Sequence, residues 1–144
     1  MSMDLYVFVE GHPFLNTVEW QQALDARALP VQLGKGVDLG GLSGFFPVVL
    51  DGRPTGFYFF REDAKELVAA IPEIGAAHLS KASVYNLNFG GHFLECASAY
   101  YSAAALVAKF NGRAFDPQDG KFLSFEELRA AGNACLKLAV GEMK

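Results

Sequence analysis

The spacing of apolar positions changes several times along the chain, and each change predicts an element. LYVFV (5–9) is apolar on both faces and rich in β-branched and aromatic residues, which predicts an inner strand. EGHPF breaks it. Asn16 and Thr17 can each cap a helix through VEWQQALDARAL; Glu19 stands at capping-box spacing from Asn16, and Pro30 is the expected stop. VQL (31–33) reads as a short strand, and LGKGVDLGGLSG (33–44), with its five glycines, as loop. FPVVL and GFYFF flank DGRPT, which predicts a hairpin whose loop is slightly longer than the tightest type.

Asp63 and Glu66 form a second capping box, opening a short helix AKELVAAI before Pro72. In SVYNLNF (83–89), Val84, Asn86 and Asn88 alternate with Tyr85, Leu87 and Phe89, as in a strand with one wet and one dry face. A long helix is expected over 91–110, apolar on nearly every side and stopped by Asn111-Gly112. Such a helix is either central or has one face covered by another chain. RAFDPQDGKFL predicts strand, turn and strand. Ser124 and Glu127 then cap a last helix with Leu128, Ala131, Cys135 and Leu138 inward and a frayed tail after Val140.

Interleaved helices and hairpins define an α+β fold: a mixed or mainly antiparallel sheet with three to four helices, one long and centrally packed. The 144 residues read as a single α+β domain, without internal repeat or linker.

Charge narrows the function. The formal net charge is −4, and the twelve Lys and Arg are scattered singly, so no basic stripe exists for nucleic acid. What bias there is favours a basic partner. No signal peptide is apparent in MSMDLYVFVEG, and CASAYYSAAALVA is shorter than the roughly 18 residues of a membrane span. Cys96 and Cys135 fall inside predicted helices and read as reduced, buried thiols, which places the protein in the cytoplasm.

NFGGHFLEC (88–96) is the stretch with most chemistry. His92 and Cys96 would share a helix face, as two metal ligands or as a thiol beside its base, and the Gly90-Gly91 amides could hold an anion. A structural role asks for less: glycines turn the corner, and Cys96 fills the core beside Phe93 and Tyr100. A zinc site needs four ligands, and no second Cys/His cluster accompanies this one. In the glycine loop, Lys35 precedes Gly36 rather than Ser or Thr, and Leu39 stands where a dinucleotide fingerprint needs glycine. Aligning Gly120 with a calcium-loop glycine puts Phe115 and Pro117 at ligand positions. Neither a cofactor nor a metal is implied. The exposed-partner candidates are the acidic residues Glu62, Asp63, Glu66, Asp116 and Asp119, with the aromatic-rich FFPVVL and GFYFFRE as a possible interface.

GLSGFFPVVLDGRPTGFYFF, FGGHFLECASAYYSAAALVAKFNG and RAFDPQDGKFLSFEE, in that order, resemble a small bacterial family of unassigned biochemistry, similar to immunity proteins encoded beside bacterial competition toxins. The resemblance covers about the last two thirds of the chain and carries over no catalytic residue. It implies a cytoplasmic protein that binds and occludes a toxin domain. The alternative is a small thiol-dependent enzyme or ligand-binding domain centred on Gly90–Cys96, with His92 and Cys96 as its chemical groups. A homodimer through the second face of the long helix is the third reading.

Overall fold

The computed structural model describes residues 2–11 and 15–142. Seven strands form one antiparallel sheet in the order β2-β3-β4-β5-β1-β6-β7: β1 (Tyr6–Val9), β2 (Val31–Leu33), β3 (Gly44–Leu50), β4 (Arg53–Glu62), β5 (Ser83–Asn88), β6 (Arg113–Asp116) and β7 (Lys121–Leu123). Four helices complete the fold among the described residues: α1 (Thr17–Ala26), α2 (Ala64–Ala70), α3 (Phe93–Phe110) and α4 (Phe125–Glu142). The α+β expectation holds, with antiparallel pairing throughout.

Local chemistry sets the element ends. Asn16 Oδ1 accepts from the Glu19 amide at 2.8 Å while Asn16 Nδ2 donates to Glu19 Oε1 at 2.7 Å. Asp63 Oδ1 accepts from the Glu66 amide, and Ser124 and Glu127 exchange both bonds of a capping box. α1 stops earlier than Pro30 would require. Ala28 turns left-handed at φ 54°, and the amides of Ala28 and Leu29 bond back to Asp25 and Leu24, closing the helix from within. The β3–β4 hairpin is also tighter than its sequence suggests. Leu50 pairs with Arg53, leaving Asp51 and Gly52, both at positive φ, as a two-residue turn of the kind strand twist favours.

One sheet face carries the main core. Val7, Val9, Phe46, Phe57, Phe59 and Leu87 point into it. α1 adds Trp20, whose ring meets Phe46, Phe57 and Phe59 at 5.7–6.0 Å and whose Nε1 donates to the Ser102 carbonyl at 3.0 Å. α3 lies over this face and is itself covered by α4. Its alanines and serines, buried from Ala97 to Ala99 and Ser102 to Ala105, let neighbouring backbones approach closely. The second face of α3 is therefore occupied within the chain.

α4 runs antiparallel to α3: Cys96 faces Cys135, and Tyr101 faces Gly132 and donates its hydroxyl to Asn133 Oδ1. A Cβ on Gly132 would lie 2.7 Å from the Tyr101 ring, so the helix contact needs glycine there. α4 buries Leu128, Gly132, Cys135 and Ala139, whereas Leu138 is 51% exposed. The helix also continues past Val140 to Glu142, where fraying was expected.

The opposite sheet face is divided. Over β5, β1, β6 and β7, a second apolar cluster joins Val84, Phe8 and Phe115 to α2 and two 3₁₀ turns (Pro72–Ile74 and Ala77–Lys81), with Ala64, Ile74 and Leu79 as the lid. Over β2, β3 and β4 the same face is open to solvent at Phe45, Val49 and Tyr58. No helix among the described residues is long and apolar enough to cross a membrane.

Candidate functional site

The Gly90–Cys96 corner resolves into a helix start. His92 is the N-cap of α3, exposed and without a side-chain capping bond, so it precedes the helix rather than sharing a face with Cys96. The Gly90 amide donates to Glu95 Oε1 at 3.0 Å: the anion at this corner is the chain's own carboxylate. Cys96 is joined to Cys135 in a disulfide with a Cα–Cα distance of 5.9 Å. The expectation of two reduced thiols is thereby corrected; 39 residues of sequence separate partners that antiparallel helices bring together. A bridged sulfur offers no thiolate, so the paired His92–Cys96 chemistry has no nucleophile in this state. His78 lies elsewhere, 3.7 Å from Glu10, and His12 falls outside the described residues. No group of three or more His, Cys, Asp and Glu among the described residues is placed to hold a metal ion.

The acidic candidates separate by role. Asp63 caps α2, and Glu66 is exposed in its first turn. Asp116 is only 5% exposed, and its Oδ1 accepts from the Gln118 amide at 2.9 Å to shape the β6–β7 turn. Such a residue cannot reach a partner, which removes it from the surface set. Asp119 is exposed in that turn. Glu62 ends β4, half-buried, within 3.4 Å of Asn86 Nδ2.

That last contact belongs to a polar group the sequence did not announce. Asn86, 5% exposed, was expected on a wet face. Its Nδ2 instead donates to Asp4 Oδ1 at 2.9 Å as well as to Glu62, and Asn88 Nδ2 donates to the same Asp4 oxygen at 2.8 Å. Tyr6 stands opposite Asn86 on β1. Its phenol is pushed up to about 12 by desolvation first, then by the charges of Asp4 and Glu62 and a hydrogen bond to Asp4. Two asparagines inside an otherwise apolar strand were the available signal. The partners, distant in sequence, were not.

Beside this group lies the uncovered half of the sheet. Phe45, Val49 and Tyr58 are 45%, 40% and 43% exposed. Phe45 pairs across the hairpin with Tyr58, ring centroids 5.5 Å apart and edge-on, and Tyr58 stacks on Phe60 at 6.3 Å and 9° between planes. Three rings thus form a continuous ladder on a flat surface. Phe45, with Pro47, Val49 and Pro54, borders a shallow apolar hollow that reaches Lys35. Strand alternation accounts for the division: Phe46, Phe57 and Phe59 enter the core while their neighbours point the other way.

Comparison with protein-family models, with curated proteins and with solved structures finds no match for this chain.

Proposed function

We propose that this chain is a non-catalytic binding protein that covers a partner protein with the open half of its sheet. The form of that function favoured by the sequence is an immunity protein occluding a cognate bacterial toxin. One observation carries the reading: Phe45, Val49 and Tyr58 stand exposed, with Phe60 half-buried beside Tyr58, while the other half of the same face is capped by α2 and the 3₁₀ turns. Aromatic side chains on a rigid sheet supply contact area at low entropic cost, and rings of this kind dominate the energetics of protein interfaces.

Co-expression with the product of the adjacent gene, followed by pull-down and growth rescue, tests the reading. A complex that is lost with Tyr58→Ser, together with rescue of growth, supports it; neither complex nor rescue removes it. The cytoplasmic placement belongs to the same proposal and requires the Cys96–Cys135 pair to be reduced in cells. Maleimide present during denaturation of a fresh lysate should then mark both cysteines, and labelling that appears only after added reductant counts against a reducing compartment.

A further inference from the structure

We infer that the partner seated on the open sheet face presents a basic side chain, Lys or Arg, beside its apolar contact, and that Asp4 and Glu62 receive it. The inference rests on the reading above and names the chemistry of the partner. Asp4 and Glu62 are both half-buried, and neither forms an ion pair with a described residue. They are held by neutral donors: one Asn86 nitrogen reaches both carboxylates, at 2.9 and 3.4 Å, and Asn88 reaches Asp4. The Asn86 side-chain Oδ1 in turn accepts from the Leu5 backbone amide at 3.4 Å, tying the side chain to the segment that leads into β1.

Amides orient carboxylates but do not cancel their charge. Asp4 and Glu62 share a donor and have no ion-pair partner among the described residues, so a cation delivered from outside meets a surface of complementary charge. The strand register places the donors of this pair beside the rings. Asn86 pairs with Phe60 and Asn88 with Tyr58, so the amides stand next to the rings, with Glu62 two residues beyond Phe60 on β4 and Asp4 on the far side of β5. A guanidinium or ammonium on an apolar stem matches that sequence of surfaces, and its stem can lie along the rings. The Tyr6 phenol, raised first by desolvation, is raised further by the charges of Asp4 and Glu62. A second copy of this chain fits less well, because the protein is acidic overall, at −4.

The test pans a library of random peptides against the immobilised full chain, then measures enriched peptides in solution. Peptides combining Arg or Lys with aromatic or aliphatic residues are expected. Replacing the peptide Arg by citrulline, or using the Asp4→Asn/Glu62→Gln chain, should weaken binding about tenfold or more, with affinity falling as salt rises. Both replacements keep the shape of the carboxylates, and an unchanged melting curve confirms the fold. Binders that depend on Tyr58 but ignore the Asn/Gln replacements overturn the basic-partner inference and leave the open-face reading standing. Absence of any Tyr58-dependent binder overturns both. Light scattering that shows a dimer dissociated by Tyr58→Ser makes a second copy the occupant and also overturns the inference.

Discussion

Gly56 lies directly beneath the ring of Phe45. A Cβ at Gly56 would stand 2.5 Å from Phe45 Cζ and 2.3 Å from the Phe46 carbonyl oxygen, closer than real contacts allow. The ring can swing away, but the carbonyl is backbone of the paired strand and cannot. Gly56→Ala should therefore cost about 1–3 kcal/mol of stability, the usual penalty for overpacking. It should also lift Phe45 off the sheet and disturb the aromatic ladder. Chemical denaturation measures the first effect, and the near-ultraviolet circular dichroism of the aromatic rings measures the second. An unchanged midpoint and spectrum would show that the hairpin yields more easily than this contact implies.

Trp20 is the chain's single tryptophan and is fully buried. It fastens α1 to three phenylalanines of the sheet and, through Nε1, to the Ser102 carbonyl in α3. Trp20→Ala should cost about 3–5 kcal/mol, as large-to-small core changes do. Trp20→Phe keeps most of the apolar contact and should cost clearly less. Denaturation followed by far-ultraviolet circular dichroism compares the two, and blue-shifted native fluorescence in the parent chain checks the burial. Equal losses for the two variants would mean that ring packing is not what holds α1.

Gly56 and Trp20 both act through tertiary contacts, and such contacts mark the limit of what the chain declares locally. The capping boxes at Asn16, Asp63 and Ser124 were legible because donor and acceptor sit three residues apart and need no tertiary partner. The alternation of Phe45 and Phe46, or of Tyr58 and Phe59, was visible as aromatic excess, and the sequence already raised an interface there. Which half would stay bare depends on where α2 and the 3₁₀ turns fold back, and no local spacing encodes that. Asn86 shows the same limit. Alternation separated it from Tyr85 and Leu87, but the face expected to be wet is buried at Val84 and Asn86, and the hydrogen-bond partners of Asn86, Asp4 and Glu62, lie far away in sequence. The Cys96–Cys135 bridge is a contact between two helices, so each cysteine looked like an ordinary core residue of its own helix.

The bridge should matter to stability. It closes a loop spanning 39 residues, for which the chain-entropy relation gives about 4 kcal/mol, with measured bridges often giving less. Reducing it, or replacing both cysteines by alanine, should lower the midpoint of denaturation without changing the far-ultraviolet spectrum. The loss should concentrate in α4, since α3 is otherwise fixed by the sheet and α1. Hydrogen exchange before and after reduction measures this directly: faster exchange confined to residues of α4 is expected, and uniform acceleration would show that the bridge restrains the whole molecule.

Alkaline pH should weaken the fold through its tyrosines. The Tyr6 phenol is raised to about 12, and those of Tyr85, Tyr100 and Tyr101 are raised as well, each chiefly by desolvation. A tyrosine whose folded pKa exceeds its unfolded value near 10 holds its proton more tightly in the native chain. As pH climbs above 10, the unfolded chain has released protons that the folded chain keeps, so unfolding gains ground. The contribution from Tyr6 is complete below pH 10 and disappears as pH rises to about 12. Phenolate absorbance should accordingly rise late in the native protein and earlier in denaturant. Asp4→Asn removes one of the two neighbouring charges but leaves the burial in place, so it should bring the Tyr6 transition down only part of the way. A variant that titrated at the ordinary tyrosine value would assign the whole effect to Asp4 and deny desolvation its leading part. A variant indistinguishable from the parent would mean that the carboxylate does not act on Tyr6 at all, and the hydrogen-bonded group of Asp4, Tyr6 and Asn86 would lose its electrostatic meaning.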